Sequence, residues 1–122
     1  MNIALIIASL CLIASAHTAA HADVLHMRAS WYGPKFHGKL MANGKPFDMH
    51  DPTVVAHRKL KFGTTLRLTN PETHRSIVAI VQDRGPYVPG RSLDVSKAAA
   101  EALDFVEDGV TELTVEVLSP IP

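Results

Sequence analysis

The sequence predicts a small, mainly β domain that closes into a barrel and carries one short helix. Short runs that alternate polar and apolar residues recur along residues 24–118 and end at Gly, Pro, Asn or Asp, which is the pattern of strands and tight turns. Strong helix propensity is confined to the alanine-rich residues 97–103. The single cysteine, Cys11, precedes this region, so the domain must be held by apolar packing. A closed barrel is the economical solution because it removes exposed strand edges.

The predicted elements share short length and turn residues at their ends. In chain order they are a strand at 24–32, a turn-rich loop at 38–46, a short strand or helical turn at 53–57, a hairpin of strands 65–69 and 76–81 around the turn 70–74, a short strand at 91–94, a helix at 97–103 that Ser96 can cap, and a last strand at 110–118.

Residues 1–22 are predicted to be a secretory signal peptide. Their side chains carry no formal charge, residues 3–13 form an apolar core, and Ala20-His21-Ala22 is a small-x-small cleavage pattern. The core is shorter than the ~20 residues of a membrane-spanning helix. A leucine precedes Cys11 where a lipid-modified cysteine needs a small residue, so no lipid anchor is expected. The domain would then comprise residues 23–122 and be periplasmic or secreted, whereas a retained N-terminal helix is the alternative.

The charge balance excludes some classes of partner. The chain has 12 Lys and Arg against 12 Asp and Glu. Nucleic acids and anionic membranes both attract a basic excess, so neither is an expected partner, and a monomer is expected. Of the seven histidines, His17 and His21 lie in the predicted signal peptide, and the others lack zinc-site spacing. We therefore expect no metal and no cofactor.

Seven short motifs follow one another along the chain. They are Ala29-Ser30-Trp31-Tyr32-Gly33, Ala42-Asn43-Gly44, Ala56-His57, Phe62-Gly63-Thr64, Val81-x-Asp83-Arg84-Gly85-Pro86, Gly90-Arg91-x-Leu93-Asp94-x-Ser96 and Ala98-Ala99-Ala100. In this order the set resembles the rare lipoprotein A (RlpA) family. The resemblance implies a six-stranded double-psi β-barrel in an exported protein that acts on peptidoglycan. Some members are lytic transglycosylases that cleave denuded glycan strands and leave anhydro-muramic ends.

Asp83 is the predicted catalytic acid. The apolar residues 77–81 predict a buried strand, which places Asp83 and Arg84 at the end of that strand, beside an open loop. Glycosidic cleavage needs a proton donor, and one carboxyl suffices when the sugar's own C6 hydroxyl performs the displacement. Aspartic acid ionises near pH ~3.9, so a donor at neutral pH needs a pKa raised by about 2. Burial raises such a pKa and a neighbouring cation lowers it; a surface salt-bridge cluster is the alternative interpretation.

Asp48 and His57 are the other catalytic candidates. Asp48 could act as a second carboxylate or could bond its own turn. His57 could contact Asp83 or substrate because histidine titrates near neutrality, or it could be a buried structural residue. Asp94 and Ser96 are interpreted as structural residues that hold the start of the helix.

The predicted substrate-binding residues combine sugar-stacking aromatics with polar side chains: Trp31, Tyr32, Asn43, Lys45, Arg84 and Tyr87. Core packing is expected to explain at least one of the aromatics. Lys45 stands where many RlpA-like proteins carry a glutamate thought to take part in catalysis. Two functions therefore remain open: a minimal lytic transglycosylase, and a non-catalytic glycan-binding or expansin-like wall-loosening module.

Overall fold

The computed structural model describes residues 24–118, and the predicted signal peptide lies outside the described residues. The elements are β1 (Val24–Tyr32), β2 (Val54–Ala56), β3 (Thr65–Asn70), β4 (Arg75–Asp83), β5 (Leu93–Ser96), α1 (Lys97–Leu103) and β6 (Val110–Val117). The strands form a closed barrel in the order β1-β5-β2-β4-β3-β6. A barrel with one short helix is thus confirmed, and the segment predicted as a strand or helical turn is a strand.

The barrel mixes parallel and antiparallel pairs. β3 and β4 form the predicted antiparallel hairpin, with Asn70 opposite Arg75 next to the turn. β1 pairs in parallel with β5, and β2 pairs in parallel with β4. Loop 33–53 joins β1 to β2 past β5, and loop 84–92 joins β4 to β5 past β2, so each loop crosses an end of the barrel. These two loops form the walls of the site described below.

The core follows from the two-residue period of the strands. The inward-facing residues of β3 to β6 are fully buried, and they are joined by Phe105 and one face of α1: Leu66, Leu68, Ala79, Val81, Leu93, Val95, Leu113, Val115, Ala99, Ala100 and Leu103. Each buried leucine or valine contributes on the order of 1.5–3 kcal/mol of transfer free energy. The alanines of α1 give the helix a thin face, so it packs closely against β1, β4 and β5.

Helix α1 begins at the predicted cap. The hydroxyl of Ser96 accepts a hydrogen bond from the N–H of Ala99 at 3.1 Å and donates to the carbonyl of Asp51 at 2.6 Å. Ser96 therefore ties the start of the helix to loop 33–53. The helix ends at Asp104, whose backbone is left-handed with φ 64°.

A second apolar cluster anchors loop 33–53. Met41, Phe47 and Val54 are buried together, and Tyr32 packs against them with its ring stacked on Phe47 at a centroid distance of 4.2 Å. This packing holds the backbone of residues 41–46 beside the end of β4. Along residues 24–118, no helix is both long enough and apolar enough to cross a membrane.

Candidate functional site

A cleft of about 510 Å³ lies between the two crossing loops. It is lined by residues of β1, β2, β4 and β5 and of the loops that follow β1 and β4: Ser30, Trp31, Tyr32, Gly33, Pro34, Lys35, Phe36, Ala56, Asp83, Arg84, Gly85, Pro86, Tyr87, Val88, Arg91 and Asp94. Five of the predicted site residues, namely Trp31, Tyr32, Asp83, Arg84 and Tyr87, meet here. His57, Asp48, Asn43 and Lys45 do not line this cleft.

A β-bulge sets the position of Asp83. Val55 of β2 pairs with Val81, but the next residue, Ala56, pairs with Asp83, so Gln82 is an extra residue on β4. A regular ladder would place Gln82 beside Ala56. The bulge instead brings the carboxyl of Asp83 next to the small Ala56 side chain and into the cleft.

The carboxyl of Asp83 accepts hydrogen bonds from three donors. Oδ1 accepts from the backbone N–H groups of Ala42 and Arg84, each at 2.8 Å, and Oδ2 accepts from the hydroxyl of Tyr32 at 3.2 Å. Burial raises the pKa of Tyr32, and the charge of Asp83 raises it further, so the phenol remains a donor. The carboxyl is thus fixed in one orientation by β1, the loop after β1 and its own strand end.

The side chain of Arg84 binds backbone carbonyls rather than the carboxyl of Asp83. Its Nη1 donates to the carbonyls of His57 and Leu60 at 3.0 and 2.7 Å, and its guanidinium lies 4.0 Å from the ring centroid of Phe62. Its contact with the carboxyl of Asp83 is the backbone hydrogen bond. Arg84 therefore pins loop 57–62 against the strand end, a role that the sequence did not reveal.

His57 lies behind the site and supports it through its backbone. Its N–H donates to the carbonyl of Asp83 at 3.2 Å. Its Nδ1 accepts from the N–H groups of residues 59 and 60 at 3.0 and 3.1 Å, so the neutral ring carries its proton on Nε2. Burial lowers the pKa of His57, and the neighbouring cations Arg58, Arg84 and Lys59 lower it further. The ring is thus a neutral donor near pH 7.

Asp48 lies on the exposed side of loop 33–53. Its Oδ1 accepts from the N–H of His50 at 2.9 Å and lies 4.0 Å from Nδ1 of His37. This is the geometry of a turn acid that bonds its own loop, as one of the two interpretations predicted. The structure does not bring Asp48 into the cleft.

Asn43 and Lys45 line a separate, shallower concavity of about 480 Å³ on the other side of the Asp83 strand end. The side-chain oxygen of Asn43 accepts from the N–H of Lys45 at 3.0 Å, which shapes the turn. Phe62 lines the same concavity and stacks on Arg84, which lines the cleft. The two depressions are therefore adjacent, with Asp83 and Arg84 between them.

The aromatic residues differ in their roles. Trp31 packs against the barrel core and donates from Nε1 to the carbonyl of Val106 at 3.1 Å, so it is mainly structural. Tyr87 is 72% exposed at the rim, where its ring can stack on a sugar. Phe36, 45% exposed on the facing wall, was missed from the sequence. Its place after the Gly33-Pro34 turn was the available signal.

Asp94 is a second carboxyl in the cleft and was interpreted from sequence as purely structural. Its Oδ1 accepts a short hydrogen bond from the hydroxyl of Ser30. Burial raises the pKa of Asp94; the Ser30 hydrogen bond and the charge of Arg91 oppose this, and the charge of Asp83 adds to it. No group of three potential metal ligands occurs within residues 24–118.

Comparison with known proteins gives the family. The family model described as "Lytic transglycolase" matches residues 24–115. The chain is 49% identical over 90 residues to the probable endolytic peptidoglycan transglycosylase RlpA of Aquifex aeolicus, covering 74% of this chain and 39% of that one. It is 41% identical over 93 residues to the endolytic peptidoglycan transglycosylase RlpA of Pseudomonas aeruginosa strain PAO1, covering 76% and 27%. The chain thus spans well under half the length of these relatives.

Two solved structures share the fold at low sequence identity. The Streptomyces papain inhibitor superposes with a TM-score of 0.65 at 20% identity, covering 80% of this chain and 96% of that one. Apo expansin from Clavibacter michiganensis superposes with a TM-score of 0.62 at 22% identity, covering 82% and 52%. These likenesses confirm the predicted double-psi β-barrel. The family match and the relatives in turn show that the chain belongs to the lytic transglycolase family.

Proposed function

We propose that this domain is an exported lytic transglycosylase that cleaves denuded peptidoglycan glycan strands and leaves anhydro-muramic ends. The observation that carries the proposal is Asp83, a strand-end carboxyl held by three donors on the floor of an aromatic-rimmed cleft. Supporting it, relatives 41–49% identical over the domain are named endolytic peptidoglycan transglycosylases. A glycan strand is an extended polymer, and the adjoining concavity offers a continuation of the cleft.

Asp83 carries the acid–base chemistry in this proposal. Cleavage requires a proton on the leaving glycosidic oxygen, and the C6 hydroxyl that attacks the anomeric carbon must lose its own proton. A carboxyl at the cleft floor lies within reach of both oxygens. Tyr32 and the N–H of Ala42 hold it in place, so little rotational freedom is lost when substrate binds.

In this proposal the walls of the cleft bind the sugars. The exposed rings of Tyr87 and Phe36 offer apolar faces for the C–H faces of pyranoses. Lys45, Asn43 and Phe62 would meet the strand in the adjoining concavity. His57 contributes through the position of the strand end rather than through its ring, because its N–H binds the carbonyl of Asp83 and the residue does not line the cleft.

A non-catalytic glycan-binding or expansin-like module is the second candidate. Two points favour it: both oxygens of Asp83 already accept hydrogen bonds, and Lys45 stands where the resemblance to the RlpA family implies a glutamate. In such a module Asp83 would orient the sugar without transferring a proton.

The variant Asp83→Asn separates the two functions, with Glu112→Gln at an exposed position of β6 as the matched control. If Asp83 transfers the proton, the amide variant should release anhydro ends at least about 100-fold more slowly while still binding strands. The control should match the wild type in both assays. Full cleavage by Asp83→Asn, at unchanged thermal stability, would exclude Asp83 as the catalytic carboxyl.

Export and monomeric state belong to the same proposal. Cleavage after Ala22 would release a chain without cysteine into the periplasm or medium. N-terminal sequencing of exported material should therefore begin at Asp23. Material that begins at Met1, or a lipid adduct on Cys11, would contradict this assignment.

A further inference from the structure

Asp94 and Asp83 flank Ala56 on one face of the barrel. Ala56 of β2 pairs with Asp83 of β4 on one side and with Asp94 of β5 on the other. Paired residues of neighbouring strands point to the same face, so both carboxyls stand on the cleft side, away from the buried Val55 and Val95. Their Cα atoms are separated by two strand spacings, roughly 10 Å. Ala56, Asp83 and Asp94 all line the cleft.

The hydrogen-bond partners of the two carboxyls differ in kind. Oδ1 of Asp83 faces two backbone N–H groups, which can only donate. The recorded partner of Asp94 is the hydroxyl of Ser30, which can donate to a carboxylate or accept from a carboxylic acid. Asp94 therefore has a partner that suits either protonation state, whereas Asp83 has a hydroxyl partner, Tyr32, at Oδ2 and two groups that only donate at Oδ1.

Charged and titratable groups from three elements surround Asp94. Asp83 on β4 repels a second negative charge, Arg91 on loop 84–92 attracts one, and the neutral phenol of Tyr32 on β1 lies nearby. Burial is the largest influence, and it raises the pKa of Asp94. Two carboxyls that share one cleft face but have different hydrogen-bond partners are suited to separate acid and base roles at one site.

We propose that Asp94 is the proton donor of this site and Asp83 its base, an inference that rests on the proposed transglycosylase activity and divides its chemistry between two residues. As the bond between the anomeric carbon and the glycosidic oxygen breaks, the proton of Asp94 passes to that oxygen. The C6 hydroxyl oxygen bonds to the anomeric carbon, and its proton passes to Asp83. Water then returns the proton from Asp83 to Asp94, which restores both groups.

The experiment compares wild type, Asp94→Asn, Ser30→Ala and the surface control Asp108→Asn on purified denuded strands. Anhydro ends are counted by mass spectrometry across a range of pH. Asp94→Asn should lose at least about 100-fold in turnover and should also lose the alkaline limb of the wild-type profile, because that limb reports the donor. Ser30→Ala should move the limb while retaining measurable turnover. The control should leave rate and profile unchanged.

A second readout does not depend on turnover. Carbon NMR of the carboxyls should show Asp94 titrating above the ordinary aspartate value of ~3.9. In Asp83→Asn the titration midpoint of Asp94 should move to lower pH, since the neighbouring negative charge is gone. This measurement also serves if Asp94→Asn fails to fold.

The outcomes separate the two claims. If wild type and Asp94→Asn release anhydro ends at similar rates, or if Asp94 titrates like an exposed aspartate, the donor assignment is overturned and the proposed function stands. If the wild type binds strands but releases no anhydro ends, the proposed function fails and takes the donor assignment with it.

Discussion

Arg84 offers a test of how the site is held together. Its guanidinium donates to two carbonyls of loop 57–62 and stacks on Phe62 at 4.0 Å. Hydrogen bonds from a charged donor contribute about 1.5–3 kcal/mol each, and an exposed cation–π contact about 0.5–1. In the variant, water can replace part of this hydrogen-bond energy at the partly buried carbonyls. We therefore expect Arg84→Ala to lower the free energy of unfolding by about 2–4 kcal/mol.

Urea denaturation measures this loss of unfolding free energy, and two further variants show which property of Arg84 causes it. For a domain of this size each kcal/mol lowers the melting temperature by roughly 4–8 °C, so the effect is readily seen. The control is Arg67→Ala, which removes an exposed pair with Glu116 at 3.6 Å and should cost at most about 1 kcal/mol. Arg84→Lys keeps the charge but not the planar fork, so it should recover little stability. If Arg84→Ala costs no more than the control, or if lysine fully substitutes, Arg84 is only a surface charge.

Three further predictions concern the surroundings of the site. A Cβ at Gly33 would lie 2.9 Å from the ring of Trp31, so Gly33→Ala should cost about 1–3 kcal/mol in urea and shift the tryptophan fluorescence; an unchanged midpoint would mean that the ring moves freely. Lys45→Glu should raise turnover by introducing the acid that the resemblance to the RlpA family implies at this position, and no change would place Lys45 outside the reaction. Because the pKa of His57 is lowered in the fold, its contribution to stability is complete above pH ~6.5 and is lost as pH falls through the lowered pKa. His57→Gln should therefore make the urea midpoint depend less steeply on pH in this range. An equal dependence in wild type and variant would refute the assignment.

The parts of the fold that follow from local pattern were predictable. The alternation of β3, β4 and β6, the hairpin turn and the Ser96 cap each depend on residues close in sequence. β2 was ambiguous because Val54–Ala56 is short and buried along its whole length, so it shows no alternation.

The position of Asp83 was predictable because an apolar strand ends there, but its surroundings were not. The bulge at Gln82 depends on pairing with β2, and the donor at Ala42 lies on a distant loop. Asp94 was assigned to the helix start because Ser96 is its near neighbour in sequence. Only the register of β5 against β2 reveals that it faces the cleft opposite Asp83. Arg84 likewise turns to carbonyls that sequence proximity could not identify.

The most direct test of the central claim is mass spectrometry of denuded glycan strands digested by the purified domain in water enriched in heavy oxygen. Displacement by the C6 hydroxyl predicts anhydro-muramic ends without heavy oxygen from the wild type, and at least about 100-fold fewer from Asp83→Asn. Reducing ends that carry the heavy isotope would show a hydrolase instead. Intact strands that remain bound to the domain would show a binding module.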